Sequence, residues 1–173
     1  MIGMAIIPDT KDWTWVLEEP CAECGFDAST IEVERAGDDV RSMVPRWRSA
    51  LARPAATVRP DDATWSVLEY ACHVRDVMLL FAERLRLIRE QEAPEFPNWD
   101  QDATAAQTGY ALQDPAAVSA ELGPAADAFA AEVARVTDWT RAGLRSNGSA
   151  FTAESLTRYG LHDLVHHMVD VDA

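Results

Sequence analysis

Trp65-Ser66-Val67-Leu68-Glu69-Tyr70-Ala71-Cys72-His73-Val74 opens the longest helical pattern in this 173-residue chain. Val67, Tyr70, Val74, Val77, Phe81, Leu85 and Ile88 recur at steps of three and four, which sets them on one side of an α-helix. The spacing predicts a helix from about Ala63 to Gln91. Asp61 and Asp62 precede it and arginines crowd its later turns, as the helix dipole favours.

Three further patterns of the same period flank it. Ser29-Thr30-Ile31-Glu32 reads as a capping box, followed by the stripe Val40, Met43, Val44, Trp47 and Leu51. Pro54 and Pro60 close that segment. Asp114-Pro115 starts another helix, with Val118, Leu122, Ala125, Phe129, Val133 and Val136 inward and Gly123-Pro124 predicting a kink or a late start. Ser146-Asn147-Gly148-Ser149 is a turn, after which Thr152 can cap a last helix from about Ala153. The stretch 93–113 shows no helical period and is long for a connection, a property common in functional loops. No sheet pattern stands out, although Trp13-Thr14-Trp15-Val16 alternates and suggests a short extended segment. The expectation is one all-α domain over residues 1–173, a four-helix bundle with a long crossover.

Hydrophobic residues make up 48% of the chain and charged residues 25%, enough to build a sizeable core. Fifteen basic residues against 29 acidic ones give a net charge of −14. That balance argues against nucleic acid, whose phosphates need a clustered basic face, and against anionic lipid. No apolar run reaches the roughly 18 residues of a membrane span. The opening Met1-Ile2-Gly3-Met4-Ala5-Ile6-Ile7 is short, lacks a basic start and does not read as a signal peptide. Three cysteines suit a reducing compartment. A soluble, cytoplasmic protein acting on a small molecule, as a monomer or homodimer, is the expectation.

The histidines carry the chemical signal. Three of the four fall within Leu161-His162-Asp163-Leu164-Val165-His166-His167. His162 and His166 are one turn apart, the spacing by which a helix offers two imidazoles to one metal ion. Together with Val165 and Val169 they follow the inward period, while His167 is turned about 100° from His166. His73 lies beside the inward Tyr70 and Val77. Three inward imidazoles would leave an open position for water or thiolate, with Glu69 and Asp170 placed to support them. Zinc or nickel suits such ligands. Core histidines held only by hydrogen bonds are the plainer alternative.

Cys21-Ala22-Glu23-Cys24-Gly25 offers half a zinc knuckle or a redox pair, but no second C-x-x-C completes it. A tight turn with two incidental thiols, apart from the main metal, is the simpler reading. Cys72 points about 100° away from His73 and reads as a small buried side chain. Phe96-Pro97-Asn98-Trp99-Asp100-Gln101-Asp102 can wall a pocket or simply pack its Trp on the bundle.

These segments resemble the DinB-like superfamily. Trp65 to His73 is similar to its W-(S/T)-x-x-E-x-x-x-H helix, and Leu161 to His167 to its last-helix H-x-x-x-H. Asp12-Trp13-Thr14-Trp15-Val16-Leu17, the stretch Pro20 to Asp27, and Asn98-Trp99-Asp100-Gln101-Asp102 resemble an actinobacterial subgroup. The resemblance implies an up-down-down-up bundle with one divalent metal on His73, His162 and His166. The doubled His166-His167 leaves a second register open, because Asp163 and His167 are also four apart. Family members include mycothiol-dependent maleylpyruvate isomerases and thiol S-transferases. The resemblance thus implies a metal-activated small thiol such as mycothiol. In that role Glu69 or Asp100 is our candidate for moving protons. A metal-dependent hydrolase, or a non-catalytic metal-binding or stress-response module, is the alternative.

Overall fold

The computed structural model describes residues 12–173. The apolar opening Met1 to Ile7 lies outside them. Its helices are α1 (Ala36–Leu51), α2 (Val67–Glu90), the short α3 (Gln101–Thr108), α4 (Pro115–Val133) and α5 (Ala153–Asp170). Three short strands, β1 (Glu95–Phe96), β2 (Ala142–Arg145) and β3 (Ala150–Thr152), complete the regular structure with several 3-10 turns.

The four long helices pack as a bundle. α4 lies between α1 and α2, α2 lies between α4 and α5, and α1 also touches α5. Trp47, Leu68, Leu85, Ile88, Leu122, Phe129, Leu156, Leu161 and Leu164 fill the interior and are almost fully buried. Each such side chain contributes about 1.5–3 kcal/mol of burial. Small residues set the closest approach. A Cβ at Gly37 of α1 would come within 2.8 Å of Ala130 on α4, and one at Gly160 of α5 within 2.7 Å of Phe81 on α2.

Two caps fix where α2 and α5 begin. Ser66 accepts from the Glu69 amide while the Glu69 side chain accepts from the Ser66 amide, and Thr152 and Ser155 form the same reciprocal pair. The box expected at Ser29 to Glu32 does not form. Asp27 caps a 3-10 turn over Ala28–Thr30 and takes the Ser29 hydroxyl at 2.6 Å, so α1 starts later, at Ala36. The Trp13 to Val16 segment is a 3-10 turn rather than an extended one, because Asp12 accepts from the Thr14 amide at 3.0 Å. Gly123-Pro124 does not delay α4, which runs unbroken from Pro115. The space over Gly123 is taken by the Arg48 guanidinium, whose Nε donates to the Ser119 carbonyl at 3.1 Å.

The long connection after α2 is also more ordered than its composition suggests. β1 pairs in parallel with β2, which turns through Gly148 (φ 96°) into antiparallel β3. β3 leads directly into α5. The Asn98 amide donates to the Ser146 hydroxyl at 2.8 Å, so this small sheet holds the segment carrying Trp99 and α3. None of the helices among the described residues is long and apolar enough to cross a membrane.

Candidate functional site

α5 presents its polar residues on two faces. Asp163 and His167 turn toward α2, where the Asp163 Oδ1 lies 3.0 Å from the Nε2 of His73 and 3.5 Å from the Nε2 of His167. The candidate ligand atoms of His73, Asp163 and His167 all fall within 4.8 Å of one another. His162 and His166 turn instead toward the N-terminal turns. Their ligand atoms group with those of Cys21 and Cys24, again all within 4.8 Å.

The expected set of His73, His162 and His166 is therefore divided between two clusters. The reason is helical rotation. Residues 162 and 163 differ by about 100° in direction, so only one register of α5 can meet His73. That register is Asp163 and His167. The cysteine pair, expected to be two incidental thiols apart from the main metal, lies beside the second pair of histidines, with the Cys21 Sγ 3.7 Å from the Nδ1 of His166.

Packing and hydrogen bonds hold the first cluster in place. His73 is fully buried, stacked on Trp99 with ring centroids 5.2 Å apart and tilted against Trp65 at 5.4 Å. His167 packs on Tyr70 at 4.9 Å and its Nδ1 lies 2.8 Å from the Asp170 Oδ2, which leaves its Nε2 facing Asp163. Partial burial pushes the Asp163 carboxyl up, but His73, by charge and by hydrogen bond, and then His167 more than offset it. The group sits at about 2 and is a carboxylate at neutral pH. Two imidazoles and a carboxylate, one imidazole fixed by a second carboxylate, is a donor set that fits a divalent metal with an open position.

The second cluster lies among aromatic rings. Cys21 is 1% exposed and His162 3%. Trp13 lies over both histidines, at 5.5 Å from His162 and 4.9 Å from His166, and Phe26 meets the edge of His162 at 5.5 Å. Burial, with His166 beside it, pushes His162 down to about 4, so it is a neutral imidazole at pH 7. Burial pushes the Cys24 thiol up to about 11, against the backbone amide of Phe26, which pulls it down.

Glu69 and Asp100, the residues expected to move protons, both cap helices. Glu69 is 2% exposed, caps α2 and accepts from the Arg59 Nε at 2.9 Å. Asp100 is the N-cap of α3, accepting from the Ala103 amide at 2.8 Å. Asp170 supports a histidine as expected, but the histidine is His167. Cys72 is buried, its thiol pushed up to about 12 by desolvation, and donates to the Gln113 Oε1 at 3.4 Å.

Between the clusters lies a cavity of about 400 Å3, reached by His162, Asp163, His166, His167 and Asp170 of α5. Trp13, Trp65, Tyr70 and Tyr159 supply its aromatic walls, and Glu23, Gln101 and Asp102 its polar rim. No Lys or Arg lines it among the described residues.

Residues 32–170 match the model of the DinB superfamily. The chain belongs to this superfamily. Among solved structures, the DinB fold seen here is similar to that of YfiT from Bacillus subtilis, with a TM-score of 0.68 and 18% identity over 90% of this chain and 88% of that one. YfiT is described as a probable metal-dependent hydrolase with an unusual four-helix bundle topology. No curated protein sequence matches this DinB chain. The match begins after Cys21 and Cys24, so the second cluster joins a segment ahead of the matched region to the last helix within it.

Proposed function

We propose that His73, Asp163 and His167 hold one divalent metal ion and that the protein is a metal-dependent enzyme acting on a small molecule in the adjoining cavity. The observation that carries this reading is the meeting of the three side chains, with Asp170 holding His167 by its other nitrogen. A metal bound there supplies a Lewis acid and lowers the pKa of a thiol or water in its open position. The residues do the rest. Asp163 neutralises part of the ion's charge, Trp99 and Trp65 fix the His73 ring, and the aromatic walls exclude bulk water. A lining with four carboxylates and without Lys or Arg suits neutral or cationic molecules better than phosphates.

Membership of the superfamily supports a low-molecular-weight thiol of the mycothiol type as the activated nucleophile, transferred to an electrophile or isomerised as an adduct. Zinc or nickel fits the donors. Hydrolysis is the second reading, favoured by the likeness to YfiT. Zinc- or nickel-loaded protein offered mycothiol with electrophiles, and separately ester and amide substrates, decides between them. Thiol-dependent turnover that vanishes in Asp163→Ala is the expected result. Equal turnover in Asp163→Ala would refute the site.

A further inference from the structure

We propose that Cys21, Cys24, His162 and His166 form a second metal site, a closed tetrahedral centre that takes one zinc ion and serves structure rather than catalysis. Two thiolates and two imidazoles are a complete structural zinc shell, whereas a catalytic site keeps a position open. The sizes agree. Zinc bonds of about 2.3 Å to sulfur and about 2.0–2.1 Å to nitrogen put tetrahedral ligand atoms about 3.4–3.8 Å apart. The Cys21 Sγ and His166 Nδ1 already stand 3.7 Å apart, and all four ligand atoms lie within 4.8 Å.

The local backbone suits the same role. The Gly25 amide donates to the Cys21 carbonyl at 2.8 Å and the Cys21 amide to the Phe26 carbonyl at 2.8 Å, which folds both thiols to one side. Gly25 takes φ 76°, a conformation that favours glycine. The Nε2 of His162 is buried and has no hydrogen-bond partner among the described residues, a costly arrangement unless something else takes its lone pair. Zinc binding would expel two thiol protons and leave a neutral centre, which suits the aromatic surroundings of Trp13 and Phe26. The ion would staple residues 12–27 onto α5. Trp13 and Glu23, which wall the cavity, would then owe their positions to it. This site stands or falls independently of the one on His73, Asp163 and His167.

The test uses the full chain purified without chelators and loaded with cobalt(II), zinc being restored for metal counting. Wild type should show a thiolate-to-cobalt charge-transfer band and two metal equivalents per chain. The Cys21→Ser, Cys24→Ser double variant should lose the band and one equivalent. Asp163→Ala should keep the band and lose the other. Should the cysteine variant fail to fold, alkylation of wild-type Cys21 and Cys24, read by peptide mapping, replaces it: zinc should slow both at least about tenfold. The proposal is overturned by cobalt binding without the band, by a band that survives in the double variant, by equal alkylation rates with and without zinc, or by a Cys21–Cys24 disulfide in protein isolated with zinc.

Discussion

Asp163 and His167 face α2 and His73, whereas His162 and His166, each one residue earlier, face the N-terminal turns and their two cysteines. Both faces belong to one helix and share its rigidity, yet they gather different donors. One offers a carboxylate and two imidazoles; the other offers two sulfurs and two imidazoles beneath aromatic rings, and both reach the cavity through their α5 residues. The difference teaches that the donors gathered on each face, rather than the presence of histidines, set the two clusters apart.

The strongest way to break that comparison is Asp163→Ala. We expect metal affinity at the His73 cluster to fall by more than about 100-fold, since losing a ligand exceeds losing a supporting group. Metal titration should show the cysteine cluster unchanged. Simultaneous loss at both would mean that the faces act as one site.

Glu69→Gln asks whether a buried acid beside His73 belongs to either face. Burial pushes the Glu69 carboxyl up, but Arg59 and Ser66 more than offset this and hold it below its ordinary value. A carboxyl lowered on folding stabilises the fold above its unfolded value, and that contribution fades as pH falls through the folded one. Urea unfolding should therefore show a loss of about 2–3 kcal/mol at pH 7. The gap to wild type should narrow below about pH 4. A gap unchanged at lower pH would contradict the role given to the Arg59 pair.

Asp170→Asn sharpens the comparison, because it touches only His167. Metal binding at the first cluster should weaken about 10–100-fold by calorimetry, with no change at the second. Unaltered affinity would show that packing on Tyr70 alone holds the ring. The smallest effect belongs to Trp99→Leu, which removes the stack on His73. Thermal unfolding should register about 0.5–1.5 kcal/mol beyond the lost area, and metal content should stay at the wild-type level. A metal loss as large as that of Asp163→Ala would make Trp99 part of the site rather than its cover.

The long helices were legible because their apolar stripes repeat over many turns. Val67 to Ile88 and Val118 to Val133 therefore mark α2 and α4 closely. β1, with two residues, carries no period to read, and β2 is interrupted by Gly143, where a side chain would strike Ile88 and Phe96. At the start of α1, Ser29 had a nearer partner in Asp27 than the Glu32 box assumed. The site was half legible. A four-residue spacing announces two ligands on one face, but Leu161 to His167 contains two such pairs, and only packing against α2 selects between them. The meeting of Cys21 with His166 spans 145 residues, and no local spacing foretells it.

The capping pair Thr152 and Ser155 starts α5 in a set register, and this constrains how the gene could change. One residue inserted between Ser155 and His162 would advance every later side chain by about 100°. His162 and His166 would then occupy the places of Asp163 and His167 and face His73, making an all-histidine centre. Cys21 and Cys24 would be left against Leu161 and Val165. A lineage descending through such an insertion would exchange a two-centre protein for a one-centre protein in a single step, whereas one descending by substitution would have to replace ligands one by one.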